Sequence, residues 1–141
     1  MSAGKHKSRE LAMQVLFSWD AQGELDPVMA DRIVADGSDD APVRQRALEM
    51  AAAAWEARQA IDEWVVRLAP QWPTRRQPGV DRALIRLAVW ELTKSDTPPK
   101  VVLDEAIELA KQFSTKQSAA FVNGVLDAVL KEHQSKATSQ E

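Results

Sequence analysis

Apolar residues recur along this chain at spacings of three and four, and no stretch alternates strictly, so the pattern predicts helices and no strands. The most apolar stretch is Val80 to Leu92, VDRALIRLAVWEL. On a helical wheel nearly its whole circumference is apolar, and only Arg82 and Arg86, one turn apart, form a polar stripe. A helix of that kind is buried on several sides, and this one is too short and too charged to span a membrane. It is expected to be the central helix with the others packed around it. Asp81 and Glu91 fall within its apolar arcs and read as hydrogen-bonded or rim carboxylates.

The rest of the chain is punctuated by caps and breakers. Ser8 can cap a helix from Arg9 to about Ala21, closed by Gly23. Its core face holds Leu11, Ala12, Val15, Leu16 and Trp19. At about 100° per residue Phe17 falls outside that arc, which suits a partner surface or packing by a neighbouring helix. Asp26-Pro27 starts a second helix that stops at Gly37, and Asp40-Ala41-Pro42 starts a third. From Pro42 to about Leu68 no further glycine or proline follows, which predicts one long helix or two joined by a kink. Pro70, Pro73, Pro78 and Gly79 then make a linker that carries Trp72, Arg75 and Arg76.

After the central helix, Asp96 to Pro99 forms a turn, and Lys100 to Phe113 is strongly amphipathic. Ser114 to Ser118 is a polar loop, and the last helix is expected from about Ala119 to His133 with Phe121, Val122, Val125, Leu126 and Val129 inward. Gly124 lies opposite that face. A glycine inside a helix costs about 1 kcal/mol against alanine, so it marks either a close approach by another group or a tolerated site. The expected architecture is all-α: one domain over residues 1–134, an N-terminal sub-bundle over about 8–69, a C-terminal one over about 78–133, and a disordered polar tail at 135–141.

Composition fits a globular domain with a real core: 141 residues, 45% hydrophobic, 28% charged and no cysteine. That usage and the lack of an apolar N-terminal segment fit a cytoplasmic protein. The net charge of −3 is unevenly spread. Lys5, Lys7 and Arg9 against Glu10 make the first ten residues +2, so the remainder carries −5. A basic arm on an acidic body is either a polyanion-binding device or a solvated end. Catalytic chemistry is not visible. His6 and His133 lie in opposite terminal segments, no phosphate-binding glycine loop or HExxH occurs, and Asp104, Glu105 and Glu108 read as a solvated helix face. No enzyme activity, cofactor or metal is expected.

VDRALIRLAVWEL, followed by Pro99-Lys100-Val101, DEAIELAKQF and FVNGVLDAVL, resembles the C-terminal half of the NusB family of transcription antitermination factors. RELAMQVLFSW resembles that family's first helix. The resemblance covers most of residues 5–130, weakly at 20–45 and strongly from Val80 onward. It implies about seven helices in two bundles and no catalytic activity. It also implies binding of boxA-type single-stranded RNA together with NusE, a small-subunit ribosomal protein, in an antitermination complex on RNA polymerase that supports ribosomal RNA synthesis.

Carried onto this chain, the family's RNA surface falls on Lys5, His6, Lys7 and Arg9, and on Gln117, Ser118 and Phe121. Its NusE surface falls on Phe17 and Asp81. Two departures stand out: lysine and histidine replace part of the arginine-rich arm, and Gln117 stands where an acidic residue is common. Lysine gives a point charge without the planar guanidinium fork. The rival readings are the NusB-like RNA-binding domain of a ribosomal RNA methyltransferase, whose chain continues into a catalytic domain, and a helical adaptor that binds protein alone.

Overall fold

The computed structural model describes residues 3–139, with side chains from 4 to 137. Its described residues form seven α-helices and no strand: α1 (Ala3–Gln22), α2 (Pro27–Gly37), α3 (Ala41–Glu56), α4 (Arg58–Leu68), α5 (Gly79–Lys94), α6 (Pro99–Phe113) and α7 (Lys116–Ser139). A short 3-10 turn, Thr74–Arg76, lies in the linker before α5.

The central position of α5 follows from its wheel. Ten of its sixteen residues are buried, and it packs against α1, α3, α4, α6 and α7. Its two arginines lie at the junction of α1, α4 and α5. Arg82 donates to Asp20 of α1 at 2.6 Å, and Arg86 reaches both Asp20 at 3.0 Å and Asp62 of α4 at 2.6 Å. Arg82 also donates to the carbonyls of Thr74 and Gln77, fastening the linker to the helix it precedes.

Several starts and stops are as the sequence predicts. The Asp26 carboxylate accepts from the Met29 amide at 3.1 Å, with Pro27 at the first helical position. Gly23 ends α1 with φ +82°, a left-handed conformation that glycine adopts without steric cost. The long helical stretch after Pro42 divides at Ala57, and α4, expected with the N-terminal helices, packs on α5 and α7.

Other boundaries differ from expectation. Ser8 caps nothing. It is wholly buried inside α1, and its hydroxyl donates to the Val43 carbonyl at 3.0 Å, joining α1 to α3. The helix starts earlier than expected, and within its first turns His6 and Arg9 gain partners on α6 and α5 that local sequence does not reveal. At the other end α7 begins at Lys116 and continues to Ser139, so the expected tail is helical as far as that residue, and 140–141 lie outside the described residues. The Thr115 hydroxyl accepts from the Ser118 amide at 3.0 Å, which fixes that start. Gly124 is exposed, and a Cβ there would meet nothing within 4 Å, so it is a tolerated glycine.

Candidate nucleic-acid and partner surfaces

The basic arm is the first two turns of α1, and its side chains divide by environment. Lys5 is exposed, and Lys7 is bound to Glu10 one turn on, at 2.8 Å. The His6 Nδ1 is hydrogen-bonded to the Glu105 carboxylate of α6. Arg9 is 5% exposed. It makes two parallel hydrogen bonds to Glu91 of α5, at 2.9 and 2.7 Å, and Glu105 lies 3.7 Å from its third nitrogen. Hydrogen bonding to Glu91 holds the guanidinium pKa above its ordinary value, against the opposing effect of burial. Arg9 is therefore not an available phosphate contact, contrary to expectation: its fork is spent on a buried carboxylate of the central helix. It orients the arm from within.

The second part of the expected RNA surface lies at the start of α7. Gln117 is exposed, Ser118 is 8% exposed, and Phe121 is half-buried. The buried Ser118 presents little to a ligand, because it occupies the inward side of the first turn beside Ala119 and Val122. One face of Phe121 is already covered. Trp72, from the linker, stacks on it with ring centroids 4.0 Å apart and planes 23° from parallel. Arg75 and Arg76 are exposed on the 3-10 turn that follows Trp72 in the linker.

The arm and the aromatic pair sit at opposite ends of α5. Arg9 meets Glu91 near its C-terminus, and the linker carrying Trp72 leads into its N-terminus. The axial distance from Gly79 to Glu91 is about 18 Å at 1.5 Å per residue.

The expected partner surface also divides. Phe17 is 44% exposed on α1, as its wheel position requires. Its ring lies over the first turn of α5, where a Cβ on Gly79 would come within 2.7 Å of the ring edge. Glycine there lets the exposed aromatic approach the helix end closely. Asp81 is 0% exposed and cannot meet a partner on this surface, which corrects the expectation. The reason is spacing: 81, 84, 85 and 88 form one inward stripe of α5, and all four residues are buried. Neither carboxylate oxygen of Asp81 has a hydrogen-bond partner. Asp81 lies in the first turn of α5.

Sequence reasoning does not single out Arg46, Trp72, Arg75 and Arg76 as surface residues. Arg46 of α3 reaches the Ser8 hydroxyl at 3.5 Å and so stands beside the arm. Trp72, Arg75 and Arg76 are visible as an aromatic and two cations in a proline-rich linker, but nothing local joins them to Phe121.

These features define an all-helical protein with basic and aromatic patches along one central helix and an exposed aromatic on the first. No cluster of histidine, cysteine, aspartate or glutamate suited to a metal occurs among the described residues. The chain belongs to the NusB family, whose pattern matches residues 6–131. It is 42% identical to the transcription antitermination protein NusB of Solibacter usitatus over 135 residues, covering 92% of this chain and 90% of that one. It is 41% identical to the protein of the same name from Streptomyces griseus, over 88% of this chain and 90% of that one. Among solved structures it resembles T. maritima NusB, with a TM-score of 0.80, 32% identity and 94% of each chain covered. It also resembles a chain in the crystal structure of the antitermination factors NusB and NusE in complex with dsRNA, with a TM-score of 0.83, 27% identity and 94% and 99% of the two chains covered.

Proposed function

We propose that this protein is a transcription antitermination factor that binds boxA-type single-stranded RNA together with NusE, as part of an antitermination complex on RNA polymerase at ribosomal RNA operons. The observation that carries this reading is the family match over residues 6–131, joined to a first helix that presents a basic end and, further along, an exposed Phe17. Single-stranded RNA is held by cations along its phosphates and aromatics on its bases. Lys5 and Lys7, on either side of His6, supply the first kind of contact; Phe121 and the Trp72 stacked on it supply the second, with the exposed amide of Gln117 one turn before Phe121. Phe17 on its glycine seat is the NusE contact.

The protein acts by binding, with no catalytic step and no cofactor, and it works in the cytoplasm, where nascent RNA and ribosomal proteins meet. No described helix is long and apolar enough to cross a membrane. The match extends over 90% of the Solibacter protein's own length, which supports a factor of that kind over the RNA-binding domain of a methyltransferase. The test is a mobility-shift titration of a boxA RNA with this protein, with NusE, and with both. A shift that tightens when both are present is expected. NusE pull-down without any RNA shift would establish the protein-only adaptor instead.

A further inference from the structure

A groove of about 500 Å³ opens beside the basic arm, between the start of α1, the middle of α3 and the end of α5. Its apolar part is Met50, Ala53 and the half-buried Trp90. Lys5 and Arg46 line it as cations, and Thr97 adds a hydroxyl. Neither the expected RNA surface nor the partner surface included Arg46, Trp90 or Thr97.

We propose that this groove receives one unstacked nucleobase of the bound RNA, with the adjoining phosphate on Lys5 and Arg46. The inference rests on the RNA reading above and deepens it. The volume lies within the range of small-ligand sites, which combine an apolar lining with a few polar groups that fix orientation. A planar uncharged ring suits the Trp90 wall and the Met50 floor, and base–aromatic stacking is the usual source of single-strand affinity.

The charges set the polarity of the ligand. Arg9 and Glu91, both lining the groove, neutralise each other through their paired hydrogen bonds. Over the whole lining, three cations, Lys5, Arg9 and Arg46, stand with two carboxylates, Glu49 and Glu91. The balance suits a singly charged phosphodiester more than a cluster of phosphates. The groove also lies at the C-terminal end of α5, whose partial negative charge favours the N–H edge of a base over a second phosphate. Two of the lining cations come from different helices, and the Arg46 to Ser8 contact joins those helices at the groove edge. The site is therefore assembled by the fold and absent from the unfolded arm.

The experiment uses the full chain with NusE and a boxA RNA, alongside a set of the same RNA with one base removed at each position in turn. With the native protein, one abasic position is expected to weaken binding about tenfold, the weight of a stacked base. Ala53→Trp fills the groove from a half-exposed position and leaves every cation in place. It is expected to weaken the intact RNA about tenfold, to abolish sensitivity at that one abasic position, and to leave the salt dependence unchanged. If Ala53→Trp melts early, Trp90→Leu on the groove wall serves in its place, with the same loss of base sensitivity expected. Equal binding by native and filled proteins, with no position-specific abasic effect, would overturn the groove's role and leave the RNA reading intact. Failure of the native protein to shift the RNA even with NusE would overturn both. Competition by free AMP, GMP, CMP or UMP as effective as that of the RNA itself would assign the groove to a free nucleotide and refute the strand as its occupant.

Discussion

Replacing Arg9 by methionine separates a structural role for this residue from a phosphate-binding one. The change keeps the apolar stem and removes the charge. Glu91 and Glu105, which are 3% and 4% exposed, then lose the guanidinium that lies between α1, α5 and α6. Breaking one side of a buried pair costs about 3–5 kcal/mol, because the remaining charge is left uncompensated. A chain of 141 residues gains about 0.3 kcal/mol/K of entropy on unfolding, so the loss corresponds to a fall in Tm of about 10–17 °C. Calorimetry or helical circular dichroism reads this directly. Arg9→Lys is expected to recover little, since an ammonium cannot make the two parallel bonds. Arg9→Met combined with Glu91→Met is expected to regain much of the loss, because two apolar side chains leave no stranded charge at that pair. A Tm within a degree or two of native for Arg9→Met, accompanied by a weaker salt dependence of RNA binding, would refute the argument and return Arg9 to the RNA surface.

Three further outcomes are expected. Lys5→Ala with Lys7→Ala should leave Tm nearly unchanged and reduce the log–log salt slope of RNA binding by about 0.7 for each phosphate that these lysines neutralise. Phe17→Asp should weaken NusE capture with little change in Tm, as for an exposed interface aromatic; Gly79→Ala should do the same more mildly by lifting the ring, and a collapse of melting in either would place Phe17 in the core. Burial alone would raise the carboxyl pKa of Asp20, but hydrogen bonds from Arg82 and Arg86 outweigh it and hold the group below its ordinary 3.8. Its contribution to stability is thus complete above that pH and lost as pH falls through the lower folded value, so Asp20→Asn should flatten the acid side of the Tm–pH curve; an acid limb identical to native would disprove the linkage.

The fold was legible in the sequence where the hydrophobic effect writes a period. The central helix, its two-arginine stripe, the Asp26-Pro27 start and the outward Phe17 all follow from spacing and capping alone. What spacing cannot show is which charged group finds a partner far along the chain. Arg9 and Lys5 look alike in an N-terminal arm, yet Glu91, eighty-two residues away, makes one a core group while the other stays exposed. Asp81 misleads for a different reason. The family resemblance puts it on the partner surface, while the wheel, with Asp81 three residues before Leu84, already puts it within an apolar arc, and it is buried. Phe121 is recognisable, but its partner Trp72 lies in a linker with no period to read.

The pairing of Arg9 with Glu91 also bears on how the chain is made. The first helix leaves the ribosome carrying a cation whose folded partner has not yet been synthesised, and at 5–20 residues per second the gap of eighty-two residues lasts about 4–16 s. Asp20 waits likewise for Arg82, sixty-two residues later. During that interval the N-terminal helices hold the apolar surface that α5 will cover, with nothing to bury it against. The face of α1 that α5 covers therefore gains its native cover only with the fifth helix, and a polypeptide halted short of that point is one for chaperones and proteases to recognise.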